Sequence, residues 1–280
     1  FTTDMLVEGT SSKTSYQIAD EIEFLGSQLS KDVAREYTIL SVSGLSIHLE
    51  KELSLLSDVA QHPSFPVPEL KRLLAERLAD LSTIEDNADL IANIASRSIL
   101  YGESSAYGHP VNGTLDSVNS ISQEAVNQHF KKFVLPSNRT FLVVGDTNMD
   151  EAARLIEQSF RADDPHDSEP APSYPEQAYP KFSETTIHLI DRPGAAQSVI
   201  RAGHLTIPRM HDDYYALAFL NYVLGGDYSG RLNMNLRQDK GYSYGFYSSI
   251  MWHSVQSPWL ARGSVQSEFT KESVYEVLKE

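Results

Sequence analysis

Apolar positions recur three and four residues apart along most of the first half of the chain, and this spacing predicts a series of amphipathic helices. The first predicted helix follows Thr14 and Gln17, which stand at the spacing of a capping box, and it ends at Gly26. Asn148 and Glu151 begin the last helix of this half in the same way. The remaining predicted helices of the first half cover residues 49–61, 68–81, 88–101 and 123–133.

Shorter apolar or alternating runs between the helices predict strands. In the second half, apolar residues at helical spacing predict helices that begin at residues 212–213, in the segment that ends at Gly241, and at Thr270. Helices and strands are therefore mixed in both halves of the chain. The predicted strands cover residues 39–43, 139–145, 185–191, 197–205, 242–252 and 259–265.

The length and one change in composition predict two domains. A chain of 280 residues is long enough for two domains of ordinary size. Residues 162–181 are rich in Asp, Pro, Ser and Ala, which is typical of a linker between domains. The predicted organisation is a first domain over residues 1–163, a linker over 164–181 and a second domain over 182–280.

Charge and composition exclude several classes of partner. The formal net charge of −15 argues against nucleic acid or an anionic membrane surface as the partner. No apolar run approaches the length of a membrane span. The chain has no cysteine, so disulfides, thiolate nucleophiles and cysteine-bound zinc are excluded. Either the cytoplasm or the periplasm is compatible with that composition.

Motifs for hydrolytic chemistry are missing. A zinc peptidase of the H-x-x-E-H or H-E-x-x-H kind needs two histidines four residues apart with a glutamate as general base. No two of the nine histidines have that spacing, and there is no G-x-S-x-G motif for a serine hydrolase. The histidines are at positions 48, 62, 109, 129, 166, 188, 204, 211 and 253.

The segment from Leu224-Gly225-Gly226 to Tyr244 resembles the second-half signature of the insulinase/pitrilysin (inverzincin) zinc peptidases. In that family an arginine and a tyrosine at this spacing help to hold the peptide substrate, which implies that role for Arg237 and Tyr244. The side chains suit that role, because a planar guanidinium can donate hydrogen bonds to a carbonyl or carboxylate and a tyrosine hydroxyl can donate to a carbonyl oxygen. Two positions depart from the pattern: Asp227 stands where a small residue is usual, and Gly230 where serine is common.

The start of the chain resembles the zinc-binding half of the same family without its ligands. Residues 5–10 are similar to the segment that directly follows the family's H-x-x-E-H. Carrying the motif back places the general base on Thr3, the second histidine on Asp4 and the first histidine before residue 1. Glu76 matches a glutamate that the family often has, and the distal zinc-ligand glutamate falls on Thr83 or a neighbour. The resemblance therefore implies a degenerate motif and no metal site in this chain.

The strand that pairs with the peptide in active relatives also differs here. Those relatives carry a Gly-Gly-x-x-Asn-Ala type of segment after the first helix, and this chain has residues 26–31, Gly-Ser-Gln-Leu-Ser-Lys. Backbone pairing does not depend on those side chains, so we expect a strand there.

The resemblance to processing-peptidase-like proteins implies both a fold and a role. The implied fold class is α+β, with two homologous domains that form half of a clamshell, each a mixed or antiparallel sheet with helices packed on one face. The first strands of the first domain and the end of the second domain are expected to be missing. The implied role is that of the inactive subunit of a two-subunit zinc metallopeptidase. Such a subunit has no cofactor of its own and binds peptide substrates for a homologous, zinc-bearing partner.

Other interpretations of the sequence remain open. The protein could self-associate, or act alone as a peptide-binding or scaffold protein of the same fold. It could also be a metallopeptidase with a rearranged metal site that uses Asp4 and an upstream histidine. Bacterial relatives of this kind are often periplasmic, which favours the periplasm over the cytoplasm.

Overall fold

The structure, a computed structural model, describes residues 1–134, 139–160 and 178–280. Its described residues divide into two compact units. One unit holds those of Phe1–Ser82 and Val111–Glu176, and the other holds those of Thr83–Pro110 and Gln177–Glu280. The predicted linker, residues 164–181, lies outside the described residues as far as residue 177, so its bounds and the domain bounds stay a prediction.

The first unit combines helices with a two-stranded sheet. Strands β1 (Gln28–Val33) and β2 (Thr38–Ser43) pair antiparallel. The expected strand over residues 26–31 is thus present from Gln28 onward. The helices of this unit are α1 (Thr2–Leu6), α2 (Ser15–Leu25), α3 (Leu49–Gln61), α4 (Val67–Ser82), α6 (Leu115–Asn119), α7 (Gln123–His129) and α8 (Met149–Ser159).

Local sequence signals determine where α2 begins and ends. The Thr14 hydroxyl accepts a hydrogen bond from the Gln17 backbone N–H, and the Gln17 side chain accepts one from the Thr14 N–H, so the predicted capping box is confirmed. Gly26 ends the helix at φ 63°, a left-handed conformation that glycine adopts without steric cost.

The apolar positions of these helices form the core of the first unit. Each fully buried large aliphatic or aromatic side chain contributes about 1.5–3 kcal/mol relative to exposure, so this cluster is the main stabilising element of the unit. Its buried members are Met5, Leu6, Ile18, Ile22, Leu55, Val59, Phe65, Leu70, Val126 and Phe130.

The second unit is built on a three-stranded antiparallel sheet. Its strands are β3 (Gln197–Thr206), β4 (Ser243–Ile250) and β5 (Ser257–Gln266), in the order β3-β5-β4. Helix α5 (Ala88–Tyr101), which lies early in the chain, packs against β3. The other helices are α9 (Tyr214–Asn221), α10 (Arg231–Asn233) and α11 (Thr270–Lys279), and π-helical turns follow α9 over Tyr222–Gly226 and α10 over Met234–Asp239.

Two apolar clusters stabilise the second unit. Leu232 and Leu236, both within 1% of complete burial, pack with residues of β4 and β5. A second cluster joins Leu100 and Tyr101 of α5 to Leu260 of β5. The predicted α+β class, with mixed helices and antiparallel sheets, is confirmed by this architecture. No helix in the described ranges is long and apolar enough to cross a membrane.

Two predicted strands are wrong. The sequence predicts strands over residues 139–145 and 185–191, but neither segment forms a strand in the structure. Leu142 is 88% exposed and Val144 is 99% exposed, so the apolar run does not lie in a core. A strand needs a hydrogen-bonded neighbour, and neither segment pairs with another strand among the described residues.

Candidate functional site

Asp4, which the family resemblance places at the second histidine of the zinc motif, belongs to an ion-pair cluster in the first unit. Asp4 lies on α1, and its Oδ2 accepts a 2.9 Å hydrogen bond from Nη2 of Arg77 on α4. Its Oδ1 lies 3.3 Å from Nζ of Lys31 on β1. Lys31 also donates to the Asp4 carbonyl oxygen at 3.2 Å. Two cations therefore neutralise the single carboxylate.

The residues at the start of the chain do not fit a zinc ion. Thr3, at the position of the general base, is 5% exposed and carries an alcohol that is not a base at neutral pH. Both oxygens of Asp4 already face a cation, and a divalent ion there would be repelled by Arg77 and Lys31. A zinc site needs three or four ligand atoms with free lone pairs. The described residues contain no group of three or more His, Cys, Asp or Glu side chains that could hold a metal ion.

The other two positions that the resemblance implies are degenerate are Glu76 and Thr83. Glu76 belongs to the first unit, where its carboxylate accepts a 2.9 Å hydrogen bond from Arg72 and is 58% exposed. The same guanidinium contacts Glu8 at 2.6 Å and Glu69 at 2.8 Å, which raises the pKa of Arg72 through those hydrogen bonds. Thr83 belongs to the second unit and precedes a short 3₁₀ turn.

Sequence reasoning missed Arg77 and Lys31. Arg77 is one residue after Glu76 and lies on the side of α4 that meets α1. Lys31 ends the segment of the expected peptide-pairing strand. A cation one residue after Glu76 is a weak signal by itself, because only the packing of α1, α4 and β1 brings the three charges together.

Arg237 lies in the π-helical turn Met234–Asp239 of the second unit. Its guanidinium carbon is 4.9 Å from the centre of the Tyr228 ring, a cation–π contact. Arg237 is half-buried and makes no ion pair with any residue that the structure describes. Its donors are therefore available to a ligand. π-helical turns are rare and often occur at functional sites.

Tyr244 stands on β4 with its side chain 88% exposed. The strand begins two residues after Gly241, whose φ of 67° turns the chain out of the preceding helix. The pairing of β4 with β5 is irregular between Ser243 and Phe246, and a bulge of this kind re-aims the side chains within it. Arg237 and Tyr244 belong to the same unit, and within the described residues they make no hydrogen bond or ring contact with each other.

The Gly-Gly pair of the resemblance has a steric reason. A Cβ on Gly225 would lie 2.7 Å from the Ser248 backbone nitrogen and 2.8 Å from a methyl carbon of Leu232. Such contacts are shorter than carbon atoms tolerate, so the helix end can approach β4 only with glycine at this position. This close approach positions the segment that leads to Arg237.

The strand expected to pair with peptide is present in the first unit with one edge unpaired. β1 pairs with β2 over its full length and with no other strand among the described residues. An unpaired edge offers backbone N–H and C=O groups to an extended peptide.

Known proteins match this chain over most of its length. The family model described as insulinase (peptidase family M16) matches residues 1–106, and the model described as peptidase M16 inactive domain matches residues 120–280. An uncharacterized zinc protease of Bacillus subtilis, YmxG, is 27% identical over 89% of this chain and 58% of its own length. An uncharacterized zinc protease of Mycobacterium leprae is 24% identical over 89% of this chain and 56% of its own. The chain thus spans little more than half the length of these relatives.

Solved structures show the same fold. A peptidase M16 inactive domain from Pseudomonas fluorescens superimposes with a TM-score of 0.87 at 24% identity, over 99% of this chain and 66% of the other. A protease from Helicobacter pylori also gives 0.87, at 17% identity, over 98% of this chain and 67% of the other. The resemblance inferred from the sequence is confirmed. Since the two family models cover residues 1–106 and 120–280, the chain belongs to peptidase family M16.

Proposed function

We propose that this protein is a catalytically inactive member of the family that binds and orients peptides for hydrolysis by a zinc-bearing homologous partner. The observation that carries this proposal is the ion-pair cluster at Asp4. Arg77 and Lys31 supply fixed positive charge at the position where an active relative would use a histidine ligand. A charge arrangement of this kind stabilises the chain without metal and opposes metal binding.

The second unit supports the peptide-holding part of the proposal. Arg237 is half-buried against Tyr228 but has no acidic partner among the residues that the structure describes, and Tyr244 presents its hydroxyl to solvent. Both therefore keep polar groups that a ligand can contact. We assign Arg237 to a carbonyl or carboxylate of the bound peptide and Tyr244 to a carbonyl oxygen near the scissile bond.

In the first unit, we assign the unpaired edge of β1 a separate part of the proposal, as a place where an extended peptide can add as a strand. Backbone hydrogen bonds to an extended peptide supply affinity without demanding particular side chains. This explains how the site can persist although residues 26–31 lack the Gly-Gly-x-x-Asn-Ala pattern of active relatives. In this reading the zinc-bearing partner activates water, and this chain contributes no group to that step.

Three alternatives make different predictions. A metallopeptidase with a rearranged site at Asp4 is disfavoured because both carboxylate oxygens already face cations. A stand-alone peptide-binding or scaffold protein would not need Arg237 for any peptidase activity. A self-associating protein would need no second kind of chain.

The test is the effect of Arg237→Ala and Tyr244→Phe on hydrolysis by a mixture of this protein and the zinc-bearing homologue from the same source. We expect each variant to lower kcat/KM by about tenfold or more, the size of one lost charge-assisted or transition-state hydrogen bond. The matched control is Arg192→Ala, which removes a cation from the same unit outside the proposed site. Unchanged rates with both site variants would contradict the proposal.

A further inference from the structure

A cleft of about 370 Å³ opens on the second unit beside Tyr244. Its walls come from all three strands of the sheet and from the start of α5. The lining side chains with polar ends are Asp89, Gln197, Arg201, Tyr244, Tyr247 and Arg262. Five of these six side chains can donate a hydrogen bond, and only Asp89 is an anion.

Strand register places the donors in one row. Arg201 on β3 pairs with Arg262 on β5, and Arg262 pairs with Tyr247 on β4. Residues that are direct partners across a sheet project from the same face. Two guanidinium groups and a phenol therefore project from neighbouring strands into one cleft.

Arg201 is the fixed member of this row. Its side chain is only 6% exposed. Nε donates to the Asn93 side chain at 2.9 Å, Nη1 to the Ile200 carbonyl at 3.0 Å and Nη2 to Asp89 at 2.6 Å. These three contacts hold the guanidinium rigidly, and Asp89 neutralises its charge.

Arg262 is the free member. It is exposed and makes no ion pair or hydrogen bond with any side chain in the described part of the chain. Because Asp89 compensates Arg201, the cleft retains about one uncompensated positive charge, from Arg262. The protein as a whole carries a formal net charge of −15, so the positive charge of this cleft is opposite in sign to the charge of the whole protein.

Two glycines give the cleft its floor. A Cβ on Gly245 would lie 2.7 Å from a ring carbon of Tyr247, and a Cβ on Gly263 would lie 2.8 Å from the Gly245 carbonyl oxygen. Both positions line the cleft. Glycine at 245 lets the Tyr247 ring lie close to the sheet, and glycine at 263 lets the buried Phe246 ring of β4 approach β5 closely.

We propose that this cleft binds a carboxylate of the peptide, with Arg262 as its principal partner and the Tyr247 hydroxyl and Gln197 amide as further donors. A planar guanidinium matches a carboxylate in a two-point contact, and neighbouring neutral donors complete its hydrogen bonds. The carboxylate comes either from the C-terminus of the peptide or from an Asp or Glu side chain. The inference rests on the proposed function, because Tyr244 belongs both to the proposed peptide site and to the cleft wall.

Fluorescence anisotropy with three pools of fluorescein-labelled octapeptides tests the cleft. All three pools have random residues without Asp or Glu. The first has a free C-terminal carboxylate, the second is amidated at the C-terminus, and the third is amidated with one fixed Glu at the centre. The proteins are the full chain, Arg262→Gln and the control Arg154→Gln. The control removes an exposed arginine of the first unit whose guanidinium donates a hydrogen bond to the Gln158 side chain.

We expect the unsubstituted protein to bind the first or the third pool about tenfold more tightly than the second, the size of one charge-assisted contact. The pool that binds more tightly identifies the source of the carboxylate. Arg262→Gln abolishes the preference and leaves affinity for the amidated pool within about twofold, and Arg154→Gln keeps the preference. Binding of all pools with equal affinity overturns the cleft proposal but not the proposed function. Failure of all pools to bind overturns both.

Discussion

Arg77 donates a 2.9 Å hydrogen bond to the carboxylate of Asp4, the residue that the family resemblance places at the second histidine of the zinc motif. The contact joins α1 to α4 in the first unit, and Lys31 completes it from β1. The side chains of Arg77 and Lys31 and the carboxylate of Asp4 thus link α1, α4 and β1. Attractive charges thus hold the position where the family resemblance implies a metal ligand, which is the physical basis of our account.

Arg77→Leu tests whether this ion pair stabilises the first unit. The substitution leaves Asp4 with one cation fewer in a partly buried position, so we expect a loss of about 1–2 kcal/mol in the free energy of unfolding. Urea denaturation followed by circular dichroism measures it. Arg154→Leu, at an exposed arginine of the same unit, is the matched control and is expected to change stability by less than about 0.5 kcal/mol. Equal effects of the two substitutions would count against a structural role for the pair.

Arg237→Ala and Tyr244→Phe test whether the two residues contribute to folding stability as well as to peptide binding. Tyr244 is 88% exposed, and the recorded contact of Arg237 is with the face of Tyr228. We expect both variants to unfold within about 1 kcal/mol of the unsubstituted protein, since an exposed cation–π contact contributes no more than that. Thermal and urea unfolding provide the measurement. A loss of several kcal/mol in either variant would show that the residue is part of the fold and not reserved for a ligand.

Arg97 on α5 is a half-buried cation without an anionic partner among the described residues. One nitrogen donates to the Met251 sulfur at 2.8 Å, and the other terminal nitrogen is buried with no hydrogen bond. Burial lowers the pKa of the Arg97 guanidinium. Because a desolvated, unpaired charge costs free energy, we expect Arg97→Met to raise the free energy of unfolding by about 1–2 kcal/mol. A decrease in stability would indicate a partner or a packing role that this reasoning does not include.

Gly225→Ala tests the close approach that positions the Arg237 segment. The new Cβ would lie 2.7 Å from the Ser248 nitrogen, so we expect a loss of about 1–3 kcal/mol from overpacking. Gly226→Ala is the matched control, because its Cβ would come no nearer than 3.2 Å to the side-chain nitrogen and the carbonyl oxygen of Asn221, so its contacts are much less severe. If the two substitutions lower the free energy of unfolding by the same amount, the close approach at Gly225 does not restrict which residue can stand there.

Much of the helical structure follows from local signals in the sequence. Thr14, Gln17 and Gly26 determine the ends of α2 through hydrogen bonds and dihedral angles that neighbouring residues set among themselves. The helix predicted over residues 88–101 has those bounds in the structure for the same reason, with Asn87 as its cap. Local chemistry of this kind can be recognised without knowledge of the fold.

Features that depend on distant contacts could not be predicted in this way. The apolar run over residues 139–145 resembles a strand, but a strand also requires a partner that the sequence does not identify. The cluster of Asp4, Lys31 and Arg77 depends on the packing of three elements. Similarly, Arg201 and Arg262 become neighbours only through the register of β3 and β5. The roles of Arg237 and Tyr244 came from the family resemblance and not from spacing alone.

Hydrolysis of a quenched fluorescent peptide library is the most direct test of the central claim. The protein at its native length is assayed alone, and then mixed with the zinc-motif-bearing homologue from the same source. Our account predicts no hydrolysis by this protein alone and, on mixing, a rate well above that of the homologue alone. Hydrolysis by this protein alone that is abolished by a zinc chelator would contradict it.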